Sequence, residues 1–275
     1  MISAFAWGTG DFIAKKAVDQ IGPHRTLFYV FLTGAVFFGL STFLTIGRIA
    51  QIDLRLLLLT LLSSLLCAAG YFLLYYGFQV GSLSVVSTIT AGGAIVPVLF
   101  SIGILKESPG PDQLAGIGLV ISGVVLVSMK GEKARFQPEK KRGVVPALAS
   151  SLLFGTYVIL VKLVSERTGP FFPLFMVRGI GVVLIGIFLM RKRELALPPA
   201  PVRISLLSVG VLDTVAFLAF TTGMNLAYVA VVSPLSSLFT VVTVLLARLF
   251  LKERLSLRQK IGFVTVVFGV IAISL

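Results

Sequence analysis

Residues 3–23 read SAFAWGTGDFIAKKAVDQIGP, and residues 150–170 read SSLLFGTYVILVKLVSERTGP. Laid together without a gap, Ser3 meets Ser150, Gly8-Thr9 meet Gly155-Thr156, Lys15 meets Lys162, and Gly22-Pro23 meet Gly169-Pro170. Trp7 faces Phe154, and Asp19 faces Glu166. The offset is 147 residues, just over half of a 275-residue chain. A repeat at that spacing proposes two copies of one unit, and it governs every local reading that follows.

The match resumes further along. Residues 77–129 align with 223–275 at an offset of 146. Val85-Val86-Ser87 meet Val231-Val232-Ser233, Leu105-Lys106-Glu107 meet Leu251-Lys252-Glu253, Gln113 meets Gln259, Gly116 meets Gly262, and Gly123 meets Gly269. The charged matches weigh most, because only 13% of the residues are charged.

The rest of the composition places the chain in a bilayer. It is 57% apolar, with a mean hydropathy of +1.03. Soluble domains are nearer 45–50% apolar and about 25% charged. One cysteine, Cys67, excludes an internal disulfide and a multi-cysteine metal site, and one histidine, His24, removes most histidine chemistry. The net charge of +13 suits basic loops that set topology and meet anionic lipid, rather than nucleic acid. No cleavable signal peptide is expected, since no basic region precedes the first apolar run and that run recurs inside the chain. The internal copy has a longer lead-in, so the first helix is expected to be truncated or to start late.

A bilayer is crossed by about 20 apolar residues in helix. Ten such segments are expected, at about 1–19, 26–47, 55–77, 83–105, 112–129, 145–165, 171–190, 203–223, 229–251 and 257–275. The expected fold is an all-α integral membrane protein. One five-helix repeat occupies residues 1–129 and the other 143–275, joined by a basic linker at 130–142. Five crossings return the chain on the opposite side, so the second copy is inserted upside down. Inverted repeats of this kind belong to carriers that alternate access around a midplane site.

Orientation reads two ways. Loops after odd-numbered spans hold Arg25, the linker's six Lys/Arg, Arg191-Lys192-Arg193, and Lys252, Arg254 and Arg258, against Arg48, Arg55, Lys106 and Arg167 after even-numbered ones. The positive-inside bias then puts both termini outside the cytoplasm.

Trp7-Gly8…Lys15, its copy Phe154-Gly155…Lys162, and Leu251-Lys252-Glu253-Arg254-Leu255-Ser256…Gln259…Gly262 resemble the drug/metabolite transporter superfamily, EamA type. The first-half loop departs from that pattern, with Ser108-Pro109-Gly110-Pro111 in place of Arg-Leu-Ser. The resemblance covers the whole chain. It implies a secondary transporter, typically an exporter of amino acids, other metabolites or drugs, with a cavity between the halves. It also implies cytoplasmic termini, against the charge bias.

Charged residues inside spans are the first candidates for function. Asp11 lies near the middle of the first helix. It serves either the transport pathway or a local role, at a wet helix end or paired with Lys15 four residues on. Lys15 and Lys162 lie near helix ends, where they can snorkel. Arg178 lies roughly 10 Å into the seventh span and Asp213 roughly 15 Å from the same surface, at 1.5 Å per residue, so the two can pair. Their first-half equivalents, Phe31 and Cys67, are uncharged. Trp7 and Tyr157 flank the repeated Gly-Thr, Tyr71, Tyr75 and Tyr76 stand on the third helix, and Asn225 is the counterpart of Gln79. Pro97 and Pro234 interrupt the fourth helix of each half. Glycines at 92–93, 116, 118, 123, 179 and 181 are expected to let helices approach closely.

No catalytic constellation, nucleotide motif, metal cluster or cofactor site is visible, so no enzyme is expected. The expected partners are a small-molecule solute and the lipid bilayer of an inner or plasma membrane. Proton coupling, uniport and exchange all stay open, as do a monomer and a homodimer. The leading expectation is an exporter of a small organic metabolite such as an amino acid. A multidrug or cation efflux carrier and a non-transporting scaffold are the alternatives.

Overall fold

A computed structural model describes residues 1–45, 52–128, 142–251 and 257–274. The described residues form twelve α-helices: α1 (Ile2–Ile21), α2 (Pro23–Thr45), α3 (Leu54–Val80), α4 (Leu83–Ala91), α5 (Ile95–Gly103), α6 (Pro111–Ser128), α7 (Val144–Thr168), α8 (Phe171–Arg191), α9 (Ala200–Leu226), α10 (Val229–Ser237), α11 (Phe239–Leu251) and α12 (Leu257–Ser274). The linker at 130–141 and Lys252 to Ser256 of the second loop motif lie outside the described residues.

The molecule is an all-helical membrane protein. Among the described residues, seven stretches are long and apolar enough to cross a membrane: 23–45, 54–80, 83–103, 144–168, 171–191, 200–226 and 229–250. The segment α1, which carries Asp11, Lys15, Lys16 and Asp19, is outside that set. It is packed within the bundle against α9 and α11.

The stretch 83–103 and its counterpart 229–250, expected as the fourth span of each half, are broken rods. In the first half a 3-10 turn at Gly92–Ala94 separates α4 from α5, and in the second α10 ends at Ser237 before α11. The breaks lie near the prolines but not at them. Pro97 falls in the first turn of α5, where its missing N–H costs no helical bond, and Pro234 lies inside α10.

The halves pack reciprocally. Phe31 and Arg178 are counterparts, as are Gly34 and Gly181. Phe31 lies against Gly181, and Gly34 lies against Arg178. Likewise Gly116 meets the Gly269 carbonyl, while Gly123 meets that of Gly262. Contacts in which i meets j′ and j meets i′ are the mark of a twofold relation. Along α2 and α8, Phe28 faces Gly186 and Gly39 faces Phe175, so these counterpart helices run antiparallel. The α6–α12 pair does the same.

The repeated signature has a packing cause. A Cβ on Gly8 would sit 2.6 Å from the Phe239 carbonyl oxygen, and one on Gly155 would sit 2.8 Å from that of Gly93. Each helix therefore needs glycine where it crosses the break in the other half's fourth span. Gly22 and Gly169 have φ of 80° and 75° and cap α1 and α7, donating to the Val18 and Ser165 carbonyls. Not every expected glycine contact forms. Gly92 and Gly118 face open space, and Gly179 meets only Phe175, at 4.0 Å.

Candidate functional site

Where α1, α3 and the α4–α5 break of one half meet α7, α9 and α10 of the other, they enclose a cavity of about 110 Å³. A water needs about 10–15 Å³ of such space, so there is room for several waters or a small solute. The wall is mostly aromatic, with Trp7, Tyr71, Phe154, Tyr157, Phe217 and Phe220 prominent. Trp7 packs edge-on to Phe217, with ring centroids 4.8 Å apart.

Asp11 is the one charged side chain on this wall among the described residues, and it is 8% exposed. It has no ion-pair partner there. Ser87 Oγ donates to its Oδ2 at a long 3.4 Å. The local pair with Lys15, one of the alternatives for Asp11, does not form: Lys15 Nζ turns to Asp19 at 2.6 Å. On a helix Lys15 has an acid four residues away on either side. It takes the one at the wet end, leaving Asp11 to the cavity.

Behind the wall lies the pair that depth suggested. Arg178 Nη2 donates to Asp213 Oδ2 at 2.5 Å, and Tyr71 Oη donates to Oδ1. The two charged residues are 1% and 4% exposed. Arg178 Nε and Nη1 have no hydrogen-bond partner. The guanidinium instead lies 4.4 Å from the Phe31 ring centroid, 4.5 Å from Phe217 and 5.3 Å from Tyr71, an aromatic cage that stabilises the cation by its ring quadrupoles. The Trp7 indole N–H is near the Asp213 carboxylate but outside hydrogen-bond geometry.

Four polar atoms of cavity-lining residues are buried without hydrogen-bond partners among the described residues: Trp7 Nε1, Tyr157 Oη, which lies beside the Cys67 thiol, Thr90 Oγ1 and Ser233 Oγ. Buried polar groups are normally satisfied, so these residues are where a water or ligand group would be accommodated after a small side-chain movement. Thr90 was not legible as a candidate from sequence. Most hydroxyls on these helices bond the carbonyl of the preceding turn, as Thr60 does to Leu56, and nothing in the sequence marks the exceptions.

Lys162 and Asn225 lie elsewhere, in an open vestibule at one end of the bundle. Lys162 Nζ donates to the Met224 carbonyl at 2.6 Å and pairs with Glu166 at 3.0 Å, while Asn225 Oδ1 accepts from Ser165 Oγ. Glu107 also lines the vestibule and caps the N-terminus of α10.

The chain matches the EamA-like transporter family twice, over residues 1–129 and 141–275. The protein belongs to that family. Membership makes this EamA-like protein a transporter rather than an enzyme, with a small-molecule solute. An uncharacterized protein of Methanocaldococcus jannaschii is 28% identical over 132 residues, which is 48% of the EamA-like chain and 96% of that relative. The relative therefore has the length of about one repeat. A solved crystal structure is similar over 99% of this chain and 94% of its own, with a TM-score of 0.74 and 18% identity, a likeness of fold alone.

Proposed function

We propose that the protein is a secondary carrier that exports a small organic metabolite across the cell membrane by alternating access. Residues 1–129 and 143–275 are read as two inverted five-helix repeats, giving ten crossings. Amino acids are the example the resemblance offers. The observation that carries the proposal is the cavity at the junction of the halves, lined by aromatic rings and by one acidic side chain, Asp11, that has no ion-pair partner among the described residues. The antiparallel course of α2 with α8 and of α6 with α12 supports the inverted arrangement. The broken fourth spans put irregular backbone beside the cavity, where a membrane protein tolerates it.

The experiment is uptake by proteoliposomes offered a panel of amino acids, amines and other small metabolites. Accumulation of at least one solute is expected, reduced in Asp11→Asn. If the wild type moves no solute, and Asp11→Asn and Asp213→Asn leave the cellular phenotype intact, the carrier reading falls.

A further inference from the structure

We infer that the central cavity selects a monocationic amine and discriminates against solutes bearing a carboxylate. This rests on the reading of that cavity as the solute site and narrows its substrate class, setting amines that lack a carboxylate in place of the amino acids the resemblance offers.

The argument is one of charge balance. Arg178 and Asp213 neutralise one another behind the wall, and the unpartnered Nε and Nη1 of Arg178 lie among Phe31, Tyr71 and Phe217 rather than on the lining. Lys15 is held by Asp19, and Lys162 by Met224 and Glu166, both outside the cavity. Among the described residues no Lys, Arg or His lines the cavity, leaving Asp11 as the one acidic side chain in a largely apolar space. A buried charge is costly unless paired. An ammonium supplies the partner that lets Asp11 hold a carboxylate there, and the occupied cavity is then neutral. A zwitterion or an anion brings a carboxylate for which the lining offers no cation.

The walls agree with the charge. Trp7, Tyr71, Tyr157 and Phe217 turn aromatic surface to the same space, and aromatic faces attract ammonium groups. The polar groups that these cavity-lining residues carry, the Trp7 N–H and the Tyr157, Thr90 and Ser233 hydroxyls, are neutral. A carboxylate would find no cation on the lining among the described residues.

Trp7 is the only tryptophan in the chain and lines the cavity, so its emission reports occupancy without a label. The test titrates purified protein at neutral pH with leucinamide, leucine and 4-methylpentanoate. The three share one isobutyl group and are a cation, a zwitterion and an anion. Leucinamide is expected to change Trp7 fluorescence saturably and to bind at least about tenfold more tightly than either of the others. Asp11→Asn is expected to lose that preference, and Asp11→Glu to retain most of it, with circular dichroism establishing that both variants fold. The inference is overturned if leucine or 4-methylpentanoate binds as tightly as leucinamide, if Asp11→Asn keeps the preference, or if leucinamide does not bind. Flux of the same three solutes separates this from the carrier reading. Leucinamide bound but not moved leaves the cavity assignment standing and removes the carrier. Leucine moved as well as leucinamide, with no difference in binding, does the reverse.

Discussion

Glu107, in the loop after α5, accepts the Val229 N–H at the start of α10 at 2.9 Å and, through its other oxygen, the Ala230 N–H at 3.0 Å. One carboxylate thus joins the halves across 122 residues of sequence. Lys106 adopts a left-handed φ of 57° immediately before it.

Loss of this cap gives the first prediction. A carboxylate on the free N–H groups of a helix start contributes about 1 kcal/mol. Glu107→Ala is expected to lower the unfolding temperature in detergent, and Glu107→Gln to lower it less, because the amide keeps one acceptor. Equal stability of all three proteins would remove the cap's role.

The Arg178–Asp213 pair makes a sharper prediction. Removing one member of a buried pair costs about 3–5 kcal/mol, because the other is left uncompensated. Asp213→Asn and Arg178→Met are each expected to destabilise strongly. The double variant should recover a large part of the loss. A double-mutant cycle on thermal unfolding measures it, and additive losses would show that the two side chains act independently.

Glycine positions divide into two groups. Gly8→Ala and Gly155→Ala push a methyl into backbone carbonyls and the Val242 or Val96 side chain, an overpacking expected to cost about 1–3 kcal/mol. Gly92→Ala and Gly118→Ala meet open space and should stay within about 0.5 kcal/mol of the parent. Thermal unfolding of the four variants side by side checks the division.

Tyr157→Phe removes a buried hydroxyl that lies beside the Cys67 thiol but outside hydrogen-bond geometry. Stability is expected to be unchanged or slightly higher, while solute affinity falls by about 0.5–1.5 kcal/mol, the net worth of one hydrogen bond. Titration of Trp7 fluorescence supplies the affinity and unfolding supplies the stability.

The equivalent lysines should differ. Lys15 makes a partly exposed i,i+4 pair with Asp19, worth about 0–1 kcal/mol. The buried Lys162 makes a charge-assisted bond to the Met224 carbonyl, worth about 1.5–3 kcal/mol. Lys162→Met is therefore expected to lower stability more than Lys15→Met in the same unfolding assay.

These cases show what the sequence made legible. Repeated charges revealed the duplication because charges are rare in spans, and the glycines that keep register with them do so where close helix contacts need them. Simple depth counting put Arg178 and Asp213 within reach of one another. The α2–α8 contact escaped, since the middle helices of each half are too uniformly apolar to align. The sequence left the Asp11–Lys15 pair open as one alternative because Lys15 has a carboxylate four residues away in both directions, and exposure decides between them. Glu107 was visible as part of a loop motif, but its partner is on a helix of the other half, beyond any local pattern.

Asp11 has Val158 as its counterpart, so duplication has left the cavity with a single acid where two identical chains would present two. An amine paired with an Asp11 carboxylate would make that site electrically silent, whereas a carboxylate left alone there would carry one negative charge. Each elementary charge moved through the full field is worth about 2.3 kcal/mol per 100 mV. On the proposed reading, the membrane voltage would then act on the return of the unloaded carrier and spare the loaded step.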